Sequence, residues 1–495
     1  MSVYLGIDIG TQSVKTLCYD AEQRRPLSVK SAALELISDS DGTREQHAEW
    51  WIAALRECLG KTDPAVRQSI NAIGVSGQQH GFVPLSADGE VLSAVKLWCD
   101  TSTEAECLQI STAFGGVARC VEEVGNAILP GYTAPKIRWL KNHRHDEYTR
   151  LATILLPHDY LNFYLTGERA MEYGDASGTG LLDIRQRRWH AGMLAAVDSE
   201  RDLTECLPPL LEADATVGAL RAEVAAELGL PPGIPVATGG GDNMMAAIGT
   251  GNVSPGCLTV SMGTSGTLFA HSAKPVIDST GQVAAFCSST GGWLPLLCTM
   301  NCTVSTELTR GLLGVAVDEL DQRISSVPAG AGGVMTLPFF NGERTPNLPN
   351  AKGTIFGLDE SNYSADNLLR SAMESAVYGL RTGLEVFRQH NCEVRQLRLT
   401  GGGARSAAWR QIVADVFNLP VSVQSIDEGA AFGAALQAMW MHQSSSLPEL
   451  VNEHIELDDD RACAPRASET AIYREHYREY LRHVDAVTTL YSKQP

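Results

Sequence analysis

Four short segments set side chains able to move a proton, hold a phosphate or bind a hydroxyl beside runs of small residues. The strongest is Pro235-Val236-Ala237-Thr238-Gly239-Gly240-Gly241-Asp242-Asn243. An apolar strand enters three glycines, and Asp-Asn then caps a small-residue helix. An N-cap requires no glycine run, whereas close backbone approach to a ligand does. Asp242 is therefore the best general-base candidate in the chain.

The segment Asp8-Ile9-Gly10-Thr11-Gln12-Ser13-Val14-Lys15 is a Gly/Thr turn whose amides can point at phosphate oxygens. Thr11 and Ser13 add hydroxyl donors, and Lys15 adds a point charge. Asp8 is a carboxylate able to hold Mg2+ through water. The same residues also suit a plain hairpin with a solvated Asp and Lys. In Leu397–Ser406 a strand leads to Gly401-Gly402-Gly403 and then to a helix, a common nucleotide cradle. Its spacing only approximates the dinucleotide fingerprint, and no acidic ribose partner follows in a second strand. Gly74-Val75-Ser76-Gly77-Gln78-Gln79-His80-Gly81 ends a strand with Gln, Gln and His, which can hydrogen-bond sugar hydroxyls or form a polar loop. Trp98, Asp100 and the loop Asn341–Pro346 are further candidates.

Other chemistries lack their signatures. No Gly-x4-Gly-Lys-Ser/Thr run occurs, and neither His-Arg-Asp nor Asp-Phe-Gly is present, which argues against a P-loop site and a protein-kinase site. The 12 cysteines are scattered without a CxxC pair, which fits small core hydrophobes in a reducing cytosol. A net charge of −19 opposes non-specific binding to nucleic acid or anionic membrane. Arg185-Gln186-Arg187-Arg188 reads as a solvated turn. Met1–Asp8 has no basic leader, and no apolar run suffices to span a bilayer. A cytoplasmic protein is expected, neither secreted nor embedded in a membrane.

The elements that must position these groups follow from periodicity. Val3, Leu5, Ile7 and Ile9 alternate with Tyr4, Gly6 and Asp8, which predicts a strand with Asp8 opposite the apolar stripe. Val14–Tyr19 predicts its return. Leu258–Met262, Gly263-Thr264-Ser265-Gly266 and Thr267–Ala270 repeat that hairpin. Two such hairpins, each opening half of 495 residues, predict two related α/β lobes, 1–245 and 246–495. Helices are expected at Glu49–Leu59 and Thr470–Leu490, and a strand at Ile70–Val75. After the second triple glycine, Trp409, Ile412, Val413, Val416 and Phe417 share one helix face.

Together these segments resemble the FGGY carbohydrate kinases, whose fold is shared with actin, hexokinase and heat-shock ATPases. The resemblance spans almost the whole chain. It is carried in order by Ser76–Gly81, Leu97–Thr103, Gly131-Tyr132-Thr133-Ala134-Pro135-Lys136, Gly239–Asn243, Gly342–Pro346 and Gly401–Arg405. It implies two ribonuclease-H-like lobes with an interlobe cleft, the first lobe binding sugar and carrying a phosphate hairpin, the second binding ATP. It implies Asp242 as base on the reacting hydroxyl, with Gln79, His80, Asp242 and Asn243 around the sugar and Asp8 on Mg2+. Gly10, Thr11, Lys15, Gly263 and Thr264 are then expected near the phosphates, and Gly402 and Gly403 near the adenosine. The expected reaction takes D-xylulose to D-xylulose 5-phosphate, with ribulose, L-xylulose or gluconate as neighbouring substrates. Many bacterial members that act on D-xylulose carry Met in the place of Gln79, while their animal forms carry Gln. A non-catalytic sugar sensor or scaffold on this fold is the alternative of another class, and intact Asp8, Lys15 and Asp242 stand against it. The expected partners are a small sugar and MgATP, without nucleic acid or membrane, and a homodimer is left open.

Overall fold

The computed structural model describes residues 2–491. The chain forms two compact units. The first takes the chain up to Val253 together with His271–Leu294 and Glu428–Ile455; the second takes Ser254–Ala270, Pro295–Asp427 and the chain from Glu456 onward.

The first unit is built on a seven-stranded sheet. Val3–Ile9, Ser13–Asp20 and Arg25–Ala33 form an antiparallel meander. Ile70–Gly77 pairs in parallel with Val3–Ile9, and Pro235–Ala237 in parallel with Ile70–Gly77. Thr216–Ala219 closes one edge in the antiparallel sense, and Gly240–Gly241 adds a short parallel pairing to Ile70–Gly77. The second unit repeats the plan on five strands. Gly256–Met262, Gly266–Ala270 and Leu296–Thr299 form the meander. Val394–Thr400 lies parallel to Gly256–Met262, and Val421–Val423 parallel to Val394–Thr400. Both sheets thus read third, second, first, fourth, fifth with the same senses, and the two hairpins found in the sequence are the first two strands of each.

The opening strand departs from its expected half-burial. Val3, Leu5, Ile7 and Ile9 share one core with Trp51, Leu55 and Leu59 of helix Ala48–Gly60. Tyr4 and Gly6 on the other face are buried as well. Helix Gly429–Gln443, supplied from far along the chain, covers that side: a Cβ on Gly6 would stand 1.8 Å from the carbonyl oxygen of Ala431, and one on Gly74 would stand 2.0 Å from that of Ala434. Central strands covered on both faces need apolar or very small residues at every position. Burying each large side chain in such a core contributes about 1.5–3 kcal/mol.

The remaining expected elements form as Ile70–Gly77 and Ala467–Tyr491, and as Ala407–Phe417 with all five apolar residues of its face buried. The basic turn at 185–188 is more than solvated: the Arg187 guanidinium lies 4.4 Å from the Trp293 ring centroid.

Candidate active site

Strand register brings the two key carboxylates of the first unit to one end of the sheet. Ser76 is the register partner of Asp8 on one side and of Gly240 on the other. Asp8 therefore ends its strand beside the turn that delivers Asp242. All three strands run parallel here, and the carboxyl ends of parallel strands are where α/β sheets present ligand sites.

Asp242 is not the helix cap that local sequence suggests. Gly241 occupies the N-cap, and Asp242 is the first residue of helix Asp242–Gly249. Its Oδ1 accepts from the Asn243 backbone N–H at 2.7 Å and from Asn243 Nδ2 at 2.8 Å. Among the described residues no donor reaches Oδ2. Burial pushes the pKa of Asp242 up to about 7, with help from the charges of Asp8 and Asp175. A carboxylate so raised is a stronger base than a solvated one and still ionises near neutrality. Asp8 is likewise raised by burial, against the opposing hydrogen bond that Ser76 Oγ donates to its Oδ1 at 2.7 Å.

The glycines before Asp242 answer to the protein itself. Gly239 adopts φ +74°, and a Cβ there would stand 2.3 Å from the Val75 carbonyl oxygen. A Cβ on Gly240 would reach Ser289 Oγ at 2.4 Å, and one on Gly241 would reach the Gln79 side chain at 2.7 Å. Close approach is required, as expected, but the partner is the chain's own backbone and side chains.

Gln79 and His80 are 5% and 6% exposed, which rules out a surface loop. Gln79 Oε1 accepts from Asn243 Nδ2 at 3.0 Å, and its Nε2 donates to Met244 Sδ at 3.3 Å. The pair links the strand end to the first turn of the Asp242 helix. His80 holds φ +65°, with its ring 4.9 Å from that of Tyr132 and 5.6 Å from that of Phe286.

The first hairpin is more internally committed than expected. The Thr11 hydroxyl donates to Gln78 Oε1 at 3.0 Å and accepts from Trp98 Nε1 at 2.9 Å. Gln46 and Trp51 extend this network through Gln78. Lys15 forms a 2.6 Å ion pair with Glu428 at the start of helix Gly429–Gln443. The Gly10 amide closes the turn by donating to the Ser13 carbonyl at 3.0 Å. Asp100 accepts from Lys96 Nζ at 3.2 Å and from the Arg44 and Ser102 amides, which makes it a buried structural anchor.

In the second unit, Gly263 and Thr264 form the hairpin turn, with Thr264 exposed. Their carbonyls accept from the Thr303 and Cys302 amides, both at 2.9 Å. Gly402 is exposed, with no atom within 4 Å of where a Cβ would stand, whereas Gly403 packs on Met262 and Trp409. Glu343, in the loop singled out from sequence, is buried and accepts from the Met300 amide at 2.6 Å and from Asn301 Nδ2 at 3.1 Å.

One cluster gave no sequence signal. His158 is fully buried, with Nδ1 2.9 Å from Asp175 Oδ2 and Nε2 2.8 Å from Asp159 Oδ1. Burial alone would depress its pKa; the two carboxylates overcome this and hold the imidazole well above its ordinary range. Asp175 lies against Gly241 and Gln79 and adds its charge to those acting on Asp242. His158 and Asp159 are sequence neighbours on helix Pro157–Thr166, Asp175 comes from a later segment, and the three share no motif.

The chain belongs to the FGGY family of carbohydrate kinases: the family's N-terminal domain matches residues 3–249 and its C-terminal domain residues 258–442. It is similar to the xylulose kinase of Haemophilus influenzae, at 43% identity over 489 residues, covering 97% of this chain and 99% of that relative. The xylulose kinase of Streptomyces coelicolor is 37% identical over 438 residues, covering 88% and 87% of the two chains. Among solved structures, a xyloylose kinase from Brucella ovis superposes with a TM-score of 0.91 at 32% identity, over 99% of this chain and 100% of that one. Among the described residues no helix is long and apolar enough to cross a membrane.

Proposed function

We propose that this chain transfers the terminal phosphoryl group of ATP to O5 of D-xylulose in the cytoplasm, with Asp242 as the general base. The observation that carries the reading is Asp242 itself: one oxygen is fixed by Asn243, the other has no donor among the described residues, and the pKa is lifted to about 7. Asp242 takes the proton of the sugar hydroxyl as that oxygen bonds to the terminal phosphorus. The bond from phosphorus to the bridging oxygen breaks, ADP leaves with its electron pair, and the proton stays on Asp242. Phosphoryl transfer needs positioning and charge neutralisation more than covalent help.

Asp8 suits a divalent cation. Its carboxylate is raised by burial, and its charge already strains Asp242. Mg2+ is commonly held by one or two carboxylates with substrate phosphates and water. Bound at Asp8, Mg2+ would neutralise phosphate charge. Gln79, His80 and Asn243 orient the sugar. Gly10, Thr11, Lys15, Gly263 and Thr264 serve the phosphates, Gly10 and Thr11 by shaping their turn, since the Gly10 amide donates to the Ser13 carbonyl and the Thr11 hydroxyl is engaged with Gln78 and Trp98, and Lys15 by exchanging its ion pair with Glu428 for phosphate. Gly402 and Gly403 serve the adenosine, the exposed Gly402 by leaving room for a flat base and Gly403 by seating the turn on Met262 and Trp409. Support for xylulose comes from the relatives' names, shared over nearly the full chain.

The test is ADP release on D-xylulose, D-ribulose, L-xylulose and gluconate, with the product position assigned by NMR. D-Xylulose is expected to give the highest kcat/KM and a 5-phosphate. A higher kcat/KM on another of the four would replace the substrate, and no ADP release on any would favour a sensor. Gln79→Met should shift the ranking among ketoses while leaving the KM for MgATP nearly unchanged.

A further inference from the structure

The segment Gly131-Tyr132-Thr133-Ala134-Pro135-Lys136 has so far carried no role, yet it holds a lysine that is 0% exposed. Lys136 lies on helix Thr133–His143. Its Nζ donates to the His80 carbonyl oxygen at 2.7 Å and to the Gly131 carbonyl oxygen at 2.7 Å. Among the described residues it forms no ion pair; the nearby Asp100 pairs with Lys96 instead. Burial pulls the Lys136 amine down to about 7, only partly opposed by Asp100 and Cys99, while Lys96 adds repulsion. A buried amine with no carboxylate partner is costly, and such groups persist where they are fully hydrogen-bonded.

The His80 backbone explains what the amine is for. At φ +65° this residue occupies the left-handed region, which side chains disfavour and which turns its carbonyl inward. Lys136 and Thr133, whose Oγ1 donates at 3.2 Å, both hold that single carbonyl. Tyr132 from the same segment lies against the His80 ring, and Gly178 lies beneath it, where a Cβ would stand 2.2 Å from Nδ1. Strained backbone at functional sites persists when its surroundings over-determine it.

We infer that Lys136 is a positioning residue for sugar recognition, acting by clamping the His80 carbonyl so that the imidazole is fixed toward the substrate. The inference rests on the sugar-binding role proposed for His80. A double-mutant cycle tests it, using the full-length enzyme with D-xylulose and MgATP. Lys136→Met keeps length and volume but removes the donors. It is expected to raise the KM for sugar at least about tenfold, the scale of a buried polar group losing its partner, with the KM for MgATP within about twofold. In a His80→Ala background, Lys136→Met should add little, because residues acting through one another are not additive. Thr133→Val removes the other donor and should move sugar KM in the same direction by less, which keeps the test open if Lys136→Met does not fold. The inference is overturned if the folded Lys136→Met enzyme keeps its sugar KM, or if its loss adds in full to that of His80→Ala. An unchanged Thr133→Val, where Lys136→Met does not fold, overturns it as well. If His80→Ala alone leaves sugar KM unchanged, the sugar role of His80 fails first and visibly, and the clamp falls with it.

Discussion

The chain contains two triple glycines, each between a strand and a helix, and they are built for different ends. At 239–241 every glycine is crowded: hypothetical Cβ atoms would meet Val75, Ser289 and Gln79 at 2.3, 2.4 and 2.7 Å. At 401–403 the outer two are pressed on Met262, but the middle one, Gly402, meets nothing within 4 Å. The first run lets the strand end draw close to Ile70–Gly77, so that Asp242 starts a helix beside Asp8 and Gln79. The second leaves a bare backbone surface. One sequence signal therefore reports two physical conditions, tight self-packing before Asp242 and an open backbone surface at Gly402.

The largest test of this contrast is chemical. If the first run exists to aim Asp242, then Asp242→Asn should keep the fold and sugar binding while turnover falls by about 10²–10⁴-fold, the usual range for loss of a general base. Steady-state kinetics with calorimetric sugar binding measures both, and near-normal turnover in a folded variant would remove Asp242 from the chemistry. The pH profile sharpens the same point. Asp242 must be ionised to accept a proton, and its pKa is raised to about 7, so kcat/KM for sugar should fall about tenfold per pH unit below that value. Asp175→Asn removes one of the charges raising it and should shift this limb to lower pH. A limb that stays in the ordinary carboxylate range would contradict the electrostatic account.

Smaller effects separate the glycines directly. Gly239→Ala places a Cβ at 2.3 Å from a carbonyl oxygen on a left-handed backbone, and a loss of about 2–5 kcal/mol of stability is expected from the clash and the strained φ together. Gly402→Ala meets open space and should change stability by less than about 0.5 kcal/mol, while raising the KM for MgATP several-fold. Denaturant melts and nucleotide kinetics on the two variants read the comparison in opposite columns. Equal destabilisation by both would erase it.

Much of the fold and of the candidate site was legible in the sequence, because the signals involved are local. Alternating apolar residues predict strands at 3–9 and 258–262, which form as Val3–Ile9 and Gly256–Met262, and the repeat of a strand–Gly-Thr–strand hairpin announced two sheets of one plan. Asp8, Asp242 and the glycine turns stood out because few local structures require those residues in that order. Tertiary structure alone decided the rest. Residues 428–455 return to the first unit because Gly6 and Gly74 leave a groove that only a close-packed helix can fill, and no periodicity within either segment records its partner. Gly241 rather than Asp242 caps the helix, since pairing with Gly77 ends the strand one residue before the helix begins. The contact of His158 with Asp175, and that of Lys136 with the His80 carbonyl, join segments whose spacing along the chain has no pattern. Burial creates their roles: a histidine, a lysine or an aspartate in sequence is an ordinary surface charge until the fold removes water from it and makes every remaining partner count.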